Sequence, residues 1–144
     1  MCEVNRRKYF RINFDVMLCM EITITSINGR RVKLGTSNVC VSNIGIGGLS
    51  FSSTLNFPTG DKILYTFNTN MLQKNVAFIG NIVRTTQTEK EGTIYGVKFI
   101  LDEKTETEHN KIFNTLLVKL KNIRKDEYYL ACNKHNCPLQ NKNK

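Results

Sequence analysis

The feature that most limits how this chain can fold is an alternation near its start. Ile12, Phe14, Val16, Leu18, Met20, Ile22 and Ile24 occupy every second position without a break. A period of two belongs to a strand, whose successive side chains point to opposite faces and bury one of them. This predicts a strand over residues 12–25. Asn28-Gly29 follows, a strong hairpin signal because both residues tolerate positive φ.

Five more strands are predicted after the hairpin. Val32, Leu34, Val39 and Val41 mark one over 31–42, though less regularly, and Gly45, Gly47 and Gly48 interrupt the pattern. The others fall at 49–53, 62–68, 76–86 and 93–101. Phe57-Pro58-Thr59-Gly60 and Glu89-Lys90-Glu91-Gly92 supply turns between them. The period then changes. Ile112, Phe113, Leu116, Leu117, Leu120 and Ile123 sit three or four apart, which is one face of a helix. Asp102 suits its N-cap, Glu103 and Glu106 suit the first turn, and Lys119, Lys121, Arg124 and Lys125 gather at its end. A helix over about 103–125 follows, fraying through Tyr129. Six short strands with turns between them predict a small antiparallel barrel, and one amphipathic helix would cover an opening or an edge. The expected layout is a basic segment over 1–11, barrel and helix over 12–125, and a helix extension with an Asn- and Lys-rich disordered tail over 126–144.

A length of 144 residues fits one domain with one sizeable core. Twenty-one Lys and Arg against twelve Asp and Glu leave a net charge of +9, which favours an anionic partner such as a nucleotide, a nucleic acid or an anionic surface. No apolar run approaches the roughly 18 residues of a membrane span, and the first residues lack the apolar core of a secretory signal. Cys2, Cys19, Cys40, Cys132 and Cys137 are odd in number and scattered. They do not form a disulfide framework, so a reducing cytoplasm is expected.

Two short segments carry chemistry. The first is Arg6-Arg7-Lys8-Tyr9-Phe10-Arg11, just before the first strand. In an extended chain Arg7 and Arg11 share a side, with Cα atoms about 13 Å apart at roughly 3.3 Å per residue. In a helix they also share a face, about 6 Å apart. The spacing does not choose between the two; the alternation starting at Ile12 favours the extended form. An arginine fork takes phosphate bidentately, pairs with guanine O6 and N7, and stacks on a base plane. The plain alternative is a solvated basic arm. The second segment is Ser42-Asn43-Ile44-Gly45-Ile46-Gly47-Gly48-Leu49. Glycines permit positive φ and close approach of a ligand to the backbone. The Asn43 carbonyl oxygen suits guanine N1–H and N2–H₂. The plain alternative is a turn or bulge between strands. No Gly-Lys-Ser/Thr follows, so this is not a Walker loop. No helix opens after it, so a dinucleotide fingerprint does not fit either.

Together the two segments resemble the signature of the PilZ family of cyclic di-GMP receptors. That signature is Arg-x-x-x-Arg before the barrel and Asp/Asn-x-Ser-x-x-Gly between early strands. Arg7 and Arg11 match the first part, and Asn43 and Gly48 match the second. Gly80-Asn-Ile-Val-Arg84 and Tyr95-Gly-Val-Lys-Phe99 resemble the family's later strands, so the resemblance covers about 6–124. It implies a PilZ-like six-stranded antiparallel barrel with a C-terminal helix. It also implies cyclic di-GMP bound by Arg6, Arg7, Arg11, Asn43, Gly45 and Gly48. The family's Ser is Gly45 here, so one hydroxyl hydrogen bond, worth about 0.5–1.5 kcal/mol net, is missing. In the family, an Arg before the motif accompanies a stacked pair of ligands, so Arg6 implies two nucleotides per chain.

The implied function is a cyclic di-GMP receptor, not an enzyme, that orders its N-terminal segment on binding and signals to a protein target. The alternatives are an adaptor of the same fold that no longer binds nucleotide, and a small basic nucleic-acid-binding barrel. The last needs exposed aromatics for stacking, and most aromatics here alternate into core positions, with Tyr9 and Phe10 the exceptions. DNA or RNA is therefore not expected as a partner. Arg84 ends a strand and is expected to face solvent, with an orientation toward the ligand as the alternative. Cys132, His135 and Cys137 give three ligands at unusual spacing, so no metal site is expected, and no catalytic constellation is evident.

Overall fold

A computed structural model of the chain describes residues 11–32, 35–89, 92–119 and 129–132, apart from the side chain of Asp15. The elements are β1 (Arg11–Ile27), β2 (Arg30–Arg31), β3 (Ser37–Gly45), β4 (Gly48–Ser53), β5 (Ile63–Met71), β6 (Lys74–Gln87), β7 (Thr93–Phe99) and α1 (Glu103–Lys119). The sheet order is β2-β1-β3-β4-β7-β6-β5, and a further β1–β5 pairing closes it. The pairings are antiparallel throughout. Six strands thus form a closed barrel, with the two-residue β2 appended to β1. The expected mainly-β barrel with one C-terminal helix is what the chain forms.

The alternation over β1 is less regular in space than in sequence. Five steps along β1, from Asn13 to Leu18, are matched by two along β3, from Asn43 to Val41. This bulge turns Val16 outward, 51% exposed, while Leu18, Cys19 and Met20 are all buried. A bulge bends its strand, and a small barrel needs β1 bent to pair with both β3 and β5. The predicted strand over 31–42 is likewise corrected. It divides into β2 and β3, with β3 starting only at Ser37. The apolar positions explain the break. They move from even (Val32) to odd (Val39, Val41) and back to even at Ile44, and a second register shift against β4 falls between Val41 and Asn43.

Residues 129–132, expected to continue the helix or enter the tail, instead run extended between β1 and β5. Leu18 bridges Ala131 and Met71 bridges Tyr129. Cys19 N–H donates to Leu130 O at 2.7 Å and Cys132 N–H donates to Met17 O at 2.8 Å. The Tyr129 hydroxyl donates to Val16 O at 2.7 Å, so the bulged backbone of β1 is satisfied there. Cys19, Cys40 and Cys132 form a small buried cluster at this seam. A hydrogen bond with Cys132 holds the Cys19 thiol below its ordinary range, and the same contact together with burial pushes Cys132 up. Cys19 and Cys132 are not disulfide-bonded. Cys40 is disulfide-bonded.

The core is aromatic. Phe51, Tyr65, Phe67, Phe78 and Phe113 are fully buried. The Asp102 carboxylate caps α1 by accepting the Thr105 N–H at 2.8 Å, as its position predicts. The helix then lays His109, Phe113 and Leu116 onto the barrel, and Phe113 stacks on Phe78 with centroids 5.8 Å apart. Leu117 is exposed, and Leu120 and Ile123 lie outside the described residues.

Burial lowers the His109 pKa, and the hydrogen bond to Ile46 and the nearby Glu108 only partly oppose this. The fold therefore favours neutral imidazole. Its contribution to stability is complete above the unfolded pKa of about 6.5 and is lost as pH falls through the lower folded value. Thermal melts between pH 8 and 5 are expected to show that loss, and His109→Leu to flatten part of the dependence.

Candidate nucleotide-binding face

The barrel wall beside the β3–β4 turn carries the described motif residues. Directly paired residues of neighbouring strands share a face, so the register defines two rows across the outside of the barrel. One row runs Asn13 (β1), Asn43 (β3), Ser50 (β4), Gly96 (β7) and Arg84 (β6). The other runs Arg11 and Gly45, then Gly48, Lys98 and Asn81 on β4, β7 and β6. Every one of these ten positions is polar, cationic or glycine, and neither row holds a carboxylate. Arg11 and Lys98 stand three strands apart, about 14 Å at roughly 4.8 Å per strand.

Arg11 joins the two motifs. Its Nη1 donates to Asn43 Oδ1 at 3.2 Å in a half-buried contact, and Arg11 lies opposite Gly45 in the ladder. An arginine carries five N–H donors in a planar fork, so holding one on Asn43 orients the rest. Asn81 is committed elsewhere, since its amide donates to Ile63 O at 2.8 Å. Arg6 and Arg7 lie outside the described residues, as do Tyr9 and Phe10.

Gly48 is required for space rather than for positive φ. A Cβ on Gly48 would collide with the Val97 carbonyl oxygen of the paired β7 strand. A Cβ on Gly96 would lie 2.8 Å from an Arg84 guanidinium nitrogen. The Arg84 side chain therefore lies across Gly96, beside Ser50 and Asn43 in the same row. At the end of a strand, Arg84 fits either a solvent-facing or a ligand-facing side chain. It is exposed, but it lies along the candidate face. Only the β6–β7 register, with Arg84 opposite Gly96, reveals this.

His109 is a second residue that sequence reasoning passed over. Its Nδ1 donates to the backbone oxygen of Ile46, between Gly45 and Gly47, at 3.1 Å. Its signal was present: His109, Phe113 and Leu116 follow helical spacing on the apolar face. Larger open clefts lie elsewhere among the described residues. One of about 660 Å³ is lined by asparagines of β3, β5 and β6, and one of about 480 Å³ lies between α1 and the β5–β6 hairpin. Neither contains a motif residue. Among the described residues no group of His, Cys, Asp or Glu converges as metal ligands do; His135 and Cys137 fall outside them. No helix among the described residues is long and apolar enough to cross a membrane.

The strip is outward-facing, glycine-floored and cationic, and it lies on a closed barrel. The chain belongs to the PilZ domain family, whose model matches residues 5–117. Solved structures of the same fold include YcgR from Escherichia coli in complex with c-di-GMP. It has 13% identity and a TM-score of 0.52, with 82% of this chain and 49% of that one covered. The inhibitor of motility MotI/DgrA from Bacillus subtilis has 15% identity and a TM-score of 0.56, with 84% and 55% covered. The isolated PilZ domain of E. coli YcgR with c-di-GMP has 17% identity and a TM-score of 0.52, with 81% and 96% covered. The chain thus spans about half the length of the first two. Comparison with curated protein sequences finds no match.

Proposed function

We propose that the chain is a receptor for cyclic di-GMP that uses the outer face of the barrel, and that it is not an enzyme. The observation that carries this reading is the Arg11–Asn43 contact, which joins the two motifs in space. Two of the neighbouring structures hold c-di-GMP, which supports the choice of ligand.

In this reading Arg7 and Arg11 engage phosphate or guanine edges, and Asn43 orients Arg11 while its remaining hydrogen-bonding groups face the guanine. Gly45 and Gly48 let the ligand approach the backbone, and Lys98 and Arg84 add positive charge farther along the rows. Residues 1–11 act as a basic ligand-binding arm that orders against the barrel. Arg6 extends the site to a second, stacked nucleotide. Ordering the arm re-shapes a surface that a protein target reads, in a cytoplasmic setting.

The described aromatics do not favour the nucleic-acid alternative. Phe14, Phe51, Tyr65, Phe67, Phe78 and Tyr95 are buried, and none of the other described aromatics is exposed. Base stacking on the sheet would need exposed rings.

A backbone NMR titration with cyclic di-GMP tests the proposal. Shifts concentrated at Arg11, Asn13, Asn43, Gly45, Gly96 and Lys98 are expected. No localised shifts would favour the adaptor. A steeply salt-dependent response to long oligonucleotides, without preference for the cyclic dinucleotide, would favour a nucleic-acid binder. Gly45→Ser would restore the hydroxyl of the family signature. It is expected to tighten binding several-fold, on the order of one neutral hydrogen bond.

A further inference from the structure

His109 is buried, only 5% exposed, and it packs among Phe78, Phe99 and Phe113 with ring centroids 5.0, 5.4 and 5.9 Å away. Its ring makes a polar contact with the Ile46 backbone oxygen, at 3.1 Å. A carbonyl can only accept, so Nδ1 carries the proton in the neutral ring. Ile46 is the second residue of the Gly45-Ile46-Gly47-Gly48 turn that links β3 to β4. The next carbonyl, that of Gly47, accepts the Phe99 N–H at 2.9 Å. Two successive carbonyls of the turn are thus tied down, one to α1 and one to the end of β7.

The consequence concerns the other side of the turn. A trans peptide is planar, with its C=O and N–H pointing in opposite directions. Holding the Ile46 carbonyl toward α1 aims the Gly47 N–H away from α1. Gly45 and Gly48 are held by ladder pairing with Arg11 and Lys98, whereas Ile46 and Gly47 between them lie outside the strands and are held through these two carbonyls.

We propose that His109 is a positioning residue for the nucleotide site. By holding the Ile46–Gly47 peptide plane, it presents the Gly47 N–H as a fixed donor to a phosphate or guanine oxygen of the ligand. The proposal rests on the receptor reading above and adds a residue from α1 that never touches the nucleotide. Losing the tether leaves the Ile46 carbonyl without its partner and frees the plane to rotate, so a bound ligand must then order it.

Amide substitutions separate this role from simple packing. Asn at 109 places an N–H₂ near the position of Nδ1; Gln places it near that of Nε2. Calorimetry with cyclic di-GMP is expected to give His109→Asn an affinity within about threefold of wild type. His109→Gln and His109→Leu are expected to lose about tenfold, the worth of one well-placed hydrogen bond. Equal affinities for the Asn and Gln variants, or wild-type affinity in a folded His109→Leu variant, would overturn the proposal. Hydrogen exchange of the ligand-free protein gives a second readout. The Phe99 amide, bound to Gly47 O, is expected to lose protection in the Gln variant and keep it in the Asn variant; equal protection in both counts against the tether. If wild type gives no heat with the nucleotide, the receptor reading fails, and the tether is still decided by this exchange measurement.

Discussion

Arg11→Ala is expected to weaken cyclic di-GMP binding by about 100-fold while leaving the melting temperature nearly unchanged. Hydrogen bonds to charged groups contribute about 1.5–3 kcal/mol each, and a guanidinium offers more than one in a fixed plane. Removing it takes away these contacts and leaves the ligand's anionic oxygens without their partner. It also leaves Asn43 Oδ1 without the donor seen at 3.2 Å, so two of the proposed contacts fail together. Arg11→Lys keeps the charge but not the planar fork, and a loss of roughly tenfold is expected. Stability should change little, because Arg11 stands at the start of β1 and outside the apolar core. Calorimetry paired with thermal melts checks both halves of the expectation. Arg11→Ala binding like wild type would remove Arg11 from the site.

The glycines of the same face should divide sharply. Gly48→Ala drives a Cβ into the Val97 carbonyl oxygen, which is backbone in a paired strand and cannot turn aside. β4 and β7 must then separate over a ladder running from Gly48 opposite Lys98 to Ser53 opposite Thr93. β4 is also buried at all six positions, so the disturbance meets packed neighbours. Overpacking of this kind costs about 1–3 kcal/mol and occasionally more. At the upper end, a fall in melting temperature of about 10 °C is expected for a domain of this size. Gly96→Ala meets only the Arg84 guanidinium, the far end of a flexible side chain. It should melt close to wild type but shift Arg84 along the face and weaken nucleotide binding. Matched melts of the two variants test the distinction. Equal destabilisation by both would mean that the β4–β7 contact is no tighter than the contact over Gly96.

Much of the fold could be read along the chain because its apolar residues keep time with its elements. Tyr65 and Phe67 in β5, and Tyr95, Val97 and Phe99 in β7, are buried as their alternation predicts. The helix announces itself through its change of period and its Asp102 cap. What the pattern hides are events that need a partner strand. The β1 bulge leaves the apolar alternation unbroken in sequence, so the outward turn of Val16 appears only against β3. The extended run of 129–132 depends on a gap between β1 and β5 that no local signal describes.

The candidate site divides in the same way. Arg11, Asn43, Gly45 and Gly48 are marked by type and spacing. Lys98, Gly96 and Arg84 join them only through cross-strand register, and His109 joins through tertiary packing of α1. The reason proposed for the glycines also changed. Room for a neighbouring strand, rather than positive φ, is what Gly48 provides.

The most direct measurement is a calorimetric titration of the wild-type chain with cyclic di-GMP, giving affinity and stoichiometry together. Binding on this face predicts saturable heat with micromolar or tighter affinity, and two nucleotides per chain if Arg6 brings in a stacked pair. A folded protein that gives no heat with the nucleotide would contradict it.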